Sequence, residues 1–250
     1  AAPASLALDE RQRAMLAEMG VRVWAPLADA APPSSPEPAF VARAAQPVQV
    51  PVPTPSVHAA PAVTGLTPAR SRPEGVDVMG WAALRGAVAG CQACKLCEGR
   101  TNTVFGVGDE RADWLIVGEA PGEHEDLQGE PFVGQAGKLL DNMLKALGLD
   151  RQHKVFIANV LKCRPPGNRN PEPDEMAQCE PYLKRQVALL QPKIILAMGR
   201  FAVQALLQSS EPIGKLRGQV HQYQGVPLVV TYHPAYLLRN LPDKAKAWED

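Results

Sequence analysis

Residues able to do acid–base, hydrogen-bonding and metal chemistry recur in this chain directly behind short apolar runs. GEAPGEHED, residues 118–126, overlaps the end of WLIVG and gathers Glu119, Glu123, Glu125 and Asp126 in a turn with Pro121, Gly122 and His124. Such carboxylates are either a solvated loop or the wall of a pocket in which they move a proton or steady a cation. Asn159, whose amide both donates and accepts, closes a second run, and KCRPPGNRN follows it. Gly199-Arg200 closes a third run, and His233-Pro234 follows a fourth. Thiols form another set: Cys91 and Cys94 make C-x-x-C, Cys97 extends it to C-x-x-C-x-x-C, and Cys163 and Cys179 come later. These suit a four-ligand site for Zn²⁺ or an iron–sulfur cluster. Buried free thiols are the bland alternative, and Cys97 leaves the choice of ligands open.

The elements that must position these residues are legible. WLIVG (114–118), VFIANVL (155–161), IILAMG (194–199) and PLVVTY (227–232) read as short buried strands. Helical patterns lie between them: AGKLLDNMLKALG (136–148), the segment from Asp174 to Leu190, and RFAVQALLQ (200–208). Alternation of this kind predicts a parallel sheet with helices on both faces. In open parallel sheets ligands bind beyond the carboxyl ends of the strands. Four strand ends therefore bring polar groups to one rim, a coincidence that ordinary loops do not predict.

The 250 residues suffice for one domain with extra segments. Lys+Arg and Asp+Glu balance at 26 each. That excludes a uniformly basic surface while leaving local patches open. Residues 1–27 hold a short amphipathic segment, capped by Asp9, with Met15, Leu16 and Met19 on one face. It reads either as a docking peptide for a protein partner or as an inert extension. Residues 28–77, rich in Pro and Ala, predict a disordered linker, and residues 78–250 a globular domain. The N-terminus lacks the apolar core of a signal peptide, and no stretch is long enough to span a bilayer. Five cysteines without an export signal point to a reducing cytoplasm. The sequence ends within a helical-looking stretch, KAKAWED.

CQACKLCEGRT, GEAPGEHED, GEPFVGQAGKLLD, NVLKCRPPGNRNP and HPAYLLRN occur in that order. Together they resemble the family 4 uracil-DNA glycosylases, the iron–sulfur members of their superfamily, over roughly residues 85–245. The resemblance implies a three-layer α/β/α sandwich around a central four-stranded, mainly parallel sheet. It implies a [4Fe–4S] cluster on Cys91, Cys94, Cys163 and Cys179, with Cys97 a bystander. The cluster's implied role is to pin loops that meet DNA. A monomer acting on uracil-containing DNA, with no membrane association, is expected.

That chemistry assigns roles. A base must be flipped from the duplex into a pocket. Breaking its N-glycosidic bond builds positive charge on the sugar and negative charge on uracil, so donors are needed at uracil O2. Asn159 matches uracil N3–H and O4, Phe132 offers a stacking face, and His233 a donor to O2. Ala120 and Gly122 let the backbone approach the base, and Gly118 is expected at the base with them. Ala120 matches the small residue the family implies where another branch carries a water-activating Asp, so Glu119 is left to steer water captured late. Glu125 matches the position that crowds the C5 face, while Glu123 and Asp126 are expected to face solvent. Lys162, Arg164, Arg169, Lys215, Arg217 and Arg239 are expected at phosphates, with Leu237 and Leu238 beside Arg239 as a wedge.

Overall fold

The computed structural model describes residues 72–250 together with Ala14, Met15 and Glu18, which are helical. The rest of the expected N-terminal segment (1–27), and the expected linker (28–77) up to residue 71, lie outside the described residues. Four strands form the centre of the sheet: β2 (Trp114–Gly118), β3 (Val155–Asn159), β4 (Ile194–Met198) and β6 (Val226–Thr231). All pair in parallel in the order β3-β2-β4-β6. They coincide with the four apolar runs of the sequence.

The sheet has six strands rather than the expected four. β1 (Val107–Gly108) and β5 (Val220–Tyr223) add antiparallel edges to β3 and β6. β1 is only two residues long, and β5 alternates between exposed and half-buried positions, so neither makes an apolar run. The hairpin turn before β6 does carry a local signal. Gln224 and Gly225 both have positive φ, 50° and 81°, as a tight two-residue hairpin turn requires.

Side-chain alternation along the strands feeds two cores. Leu115, Val117, Phe156 and Ala158 face one way, into a core shared with Leu84 and Val88 of α1 (Trp81–Ala89) and Tyr182, Leu183 and Val187 of α4 (Pro173–Leu190). Ile116, Val155 and Ile157 face the other way, onto Leu140 and Leu144 of α3 (Gln135–Ala146). This makes the α/β/α sandwich. The remaining helices are α2 (Glu123–Gln128), α5 (Arg200–Leu207), α6 (Ile213–Leu216), α7 (Pro234–Leu237) and α8 (Asp243–Glu249). Among the described residues no helix is long and apolar enough to cross a membrane.

Helix α4 begins on a reciprocal cap. Glu175, itself 0% exposed, accepts the Glu172 N–H at 2.9 Å, and Pro173 occupies the first turn. Arg169 closes a two-point ion pair on the same carboxylate, at 2.9 and 2.5 Å. Its guanidinium therefore anchors the loop after β3 instead of standing free for phosphate.

Leu237 also departs from expectation. It is 0% exposed and packs with Leu139, Met143 and Ala247, so it holds α7 against α3 and α8. Leu238, 40% exposed, is the only one of the pair that presents an apolar surface. Leu237→Ala is expected to cost about 2–5 kcal/mol in urea unfolding. Leu238→Ala should stay within about 0.5 kcal/mol of the parent.

Candidate active site and cysteine cavity

The strand register assembles the rim. Gly118 pairs directly with Asn159, and Met198 with Thr231, so the parallel strands end level. Beyond those ends lies a cleft of about 730 Å³ walled by Glu119, Ala120, Gly122, Glu125, Phe132, Asn159, Arg200 and His233, with Arg239 at its edge. Seven of the eight residues assigned from sequence to catalysis or base binding line that wall, and the eighth is Gly118. Gly118 stands directly behind the wall. A Cβ on it would come within 2.5 Å of both Asn159 Oδ1 and the Phe132 ring, so only glycine lets these two side chains close on the strand end.

Phe132 is both core and wall. It is buried against Ile116, Leu140 and Leu144, and its ring stacks on His233 with centroids 5.3 Å apart and planes 27° apart. Its φ is 54°, a costly conformation for a non-glycine residue. The surroundings over-determine it. Arg151, held by Asp141 at 2.8 Å, donates to Phe132 O at 2.8 Å and to Pro131 O at 3.2 Å. The carbonyl of Phe132 also occupies the space where a side chain on Gly137 would begin. Glu125 accepts Val133 N–H at 3.0 Å and Gly122 N–H at 3.1 Å. This carboxylate lines the cleft, but its oxygens are engaged in tying the GEAPGEHED turn to the Phe132 loop.

Asn159 is 2% exposed, and among the described residues its side-chain amide makes no hydrogen bond. The amide lines the cleft, where its donor and acceptor are left for a ligand to meet. His233 is the N-cap of α7. Its Nδ1 accepts the Ala235 N–H at 3.1 Å, which places the ring proton on Nε2. Burial pushes its pKa down to about 4, with Arg239 acting in the same direction and Glu125 against it. The imidazole is therefore a neutral Nε2–H donor at physiological pH. Burial pushes Glu119 the other way, up to about 7, against the pull of Arg200.

Arg200 is a wall residue that sequence reasoning left unassigned, although its place behind Gly199 at a strand end marked it. It is exposed, lies over the Phe201 ring at 4.5 Å, and among the described residues closes no ion pair. Arg239 and Lys215 are likewise exposed and unpaired among the described residues. Arg217 is not. It pairs with Asp250 at 3.0 Å and with Glu249 at 3.7 Å, and donates to Lys246 O, so it binds α8 to the end of α6. Arg164 donates to Asn168 Oδ1 at 2.7 Å and lies 3.7 Å from the exposed Glu123. Lys162, expected at the rim, is 1% exposed and lies inside the protein. Asp126, expected in solvent, is 2% exposed. It accepts the Thr101 N–H at 2.9 Å and the Asn102 N–H at 3.3 Å, and so secures the segment behind the first cysteines.

All five cysteines line one small enclosed cavity, joined by Arg100, Lys162 and Tyr182. Cys97 is thus in the same wall as the four expected ligands. Arg100 donates to Cys163 Sγ at 3.2 Å. Among the described residues the Tyr182 hydroxyl meets no partner other than the neighbouring Cys91 thiol. Burial pushes Cys163 up to about 11 and Cys179 up to about 12. Among the described residues no group of three or more His, Cys, Asp or Glu side chains is arranged to hold a metal ion. Thiols ligating one tetrahedral ion sit about 2.3 Å from it. Five thiols around one cavity, with Arg100 donating to Cys163 in its wall, are a donor set suited to a thiolate-ligated group. Ala120 packs against this cysteine cluster while lining the cleft, so the two sites share a wall.

The model of the uracil DNA glycosylase superfamily matches residues 105–250. The chain is similar to the type-4 uracil-DNA glycosylase of Sulfurisphaera tokodaii, 48% identical over 172 residues, covering 65% of this chain and 77% of the relative. It is 46% identical to the type-4 enzyme of Saccharolobus solfataricus over 169 residues, 64% of this chain and 78% of that one. To the type-4 enzyme of Archaeoglobus fulgidus it is 45% identical over 159 residues, 60% and 79% of the two chains.

The Glu119 environment makes a prediction about stability. A carboxyl whose pKa is raised on folding stabilises the fold fully below its ordinary value, about 4.5, and loses that contribution as pH rises through about 7. Glu119→Gln removes the loss. Its melting temperature relative to the parent should be more favourable at pH 8 than at pH 5, measured by circular dichroism.

Proposed function

The chain belongs to the uracil-DNA glycosylase superfamily, on its type-4 side, and on that premise we propose that it flips uracil out of DNA and hydrolyses its N-glycosidic bond, releasing uracil and leaving an abasic site. The observation that carries this reading is the Asn159 amide, which lines the cleft without a hydrogen bond among the described residues, in the same wall as a neutral His233 donor, with Phe132 packed against His233.

The Asn159 amide accepts from uracil N3–H and donates to O4. Cytosine reverses both partners and leaves the amide unpaired, a mismatch able to discriminate by about 10⁴–10⁵. Phe132 gives the flipped base a flat face. As the glycosidic bond stretches, negative charge grows at uracil O2, where His233 Nε2–H donates. Being neutral, His233 stabilises the leaving anion through a hydrogen bond rather than by handing over a proton. Ala120 leaves no carboxylate at its position, so the reaction runs dissociatively. Glu119, ionised in growing fraction as pH passes about 7, favours the sugar cation and steers water onto it. Glu125 shapes the cleft through the backbone it binds.

Cys91, Cys94, Cys163 and Cys179 would hold a [4Fe–4S] cluster, with Arg100 and Lys162 in the same wall. Its contribution when bound is to join the segment before β1, the loop after β3 and helix α4. The protein acts as a monomer in a reducing cytoplasm, where its thiols are kept from pairing.

Incubation with a uracil-containing oligonucleotide, followed by alkali, tests the reaction. The parent should cleave at uracil, and Asn159→Ala and His233→Ala should each lose about 10²–10³ in rate. No cleavage by iron-loaded protein overturns the reading in favour of a DNA-binding module. Phosphate contacts fall to Arg200, Arg239 and Lys215, exposed cations at or beside the cleft that close no ion pair among the described residues. Arg200→Gln or Arg239→Gln should lower the slope of log affinity against log salt by about 0.9 each. Arg169→Gln should leave that slope unchanged and lower the melting temperature instead, as fluorescence anisotropy and thermal melts will register.

A further inference from the structure

Lys162 is a lysine in the protein core that the mechanism above does not use as a reacting group. At 1% exposure it survives only because its donors find acceptors. Nζ donates to the main-chain oxygen of Asn159 at 2.7 Å and to Gln186 Oε1 at 2.7 Å. Gln186, 0% exposed, in turn donates through Nε2 to Phe105 O at 2.9 Å. Lys162 also forms part of the cysteine cavity wall. Its own carbonyl accepts the Val104 N–H at 2.8 Å.

One side chain thus joins three things. It holds the end of β3 at the residue assigned to read the base. It holds α4, the helix that carries Cys179. It lies against the cavity where the cysteines meet. An ammonium has three N–H donors. Two are spent on Asn159 and Gln186, which leaves one for the cavity. Strand pairing with Gly118 fixes the Asn159 backbone from one side, while among the described residues its side-chain amide closes no hydrogen bond, which leaves the Lys162 contact to its carbonyl as the restraint from the cysteine side.

We propose that Lys162 is a positioning residue: by clamping the Asn159 carbonyl to Gln186 beside the cysteine cavity, it sets the aim of the Asn159 amide, so that base recognition depends on how that cavity is packed. The inference rests on the assignment of Asn159 as the base reader. It explains why a lysine stands in the core between a strand-end asparagine and a cysteine, where an apolar residue would be cheaper to bury.

A double-mutant cycle on the full chain tests it. Lys162→Met, Asn159→Ala and the double variant are compared with the parent in kcat/KM for uracil excision, with iron per chain and visible absorbance measured on each. Small misplacements of a positioned group cost up to about 10²-fold. Lys162→Met should therefore lose about 10–100-fold in the parent background and no more than about twofold in the Asn159→Ala background, with iron content unchanged. Equal losses in the two backgrounds, or no loss in either, overturn the proposal. If Lys162→Met does not fold or does not hold iron, Gln186→Leu enters the same cycle and is read by the same criteria. It removes the clamp's acceptor but leaves the cavity lining intact. A parent without uracil excision, or an Asn159→Ala variant with undiminished rate, would instead strike the assignment of the site itself, and the inference would fall with it.

Discussion

Level strand ends are the constraint on which everything else in this domain rests. Parallel pairing of β2 with β3 sets Gly118 against Asn159, and pairing of β4 with β6 sets Met198 against Thr231. A slip of one residue in either pair would turn the strand's side chains to the opposite face. It would also withdraw a functional group from the cleft. The register is protected because these strands are buried on both faces. Leu115, Val117 and Ala158 fill one core, and Ile116 and Ile157 the other. Site geometry is thus a by-product of hydrophobic packing, and the cleft residues need only occupy the first positions past each strand.

Two further devices refine what the register provides. Phe132 is pressed into an unfavourable backbone conformation by Arg151, Glu125 and the closeness of Gly137. That brings an aromatic face to the ring of His233. Lys162 and Gln186 work from the other side, in a core shared with the cysteines. The cleft and the cysteine cavity are accordingly neighbouring compartments of one packed structure, with Ala120 in the wall between them. What fills the second compartment bears on the first through that shared wall.

The central strands were legible in sequence because parallel strands buried on both sides read as unbroken apolar runs. Asn159, His233 and Glu119 were legible because they stand at the ends of those runs. What escaped the sequence lay in elements too short to show a period. α2 has six residues, so the inward turn of Asp126 could not be inferred from its neighbours. α7 has four, and the division between buried Leu237 and exposed Leu238 was equally hidden. Charge misled for a different reason. Lys162, Arg169 and Arg217 sit in stretches that look like basic loops, but each found its partner far off in sequence or in an adjoining turn: Gln186, Glu175 and Asp250. Sequence supplies charges without saying which are already neutralised.

The turn GEAPGEHED contains a division with an evolutionary reading. Glu125 and Asp126 are consecutive carboxylates that face opposite compartments. One binds the amides of Val133 and Gly122 beside the cleft, the other those of Thr101 and Asn102 behind the first cysteines. Their lengths are matched to those separate tasks, so the acids are not interchangeable although their charges are equal. Drift among descendants of this chain should therefore pass freely through Glu123, in solvent, and stall at the next acidic pair, even for exchanges that any substitution table would score as mild.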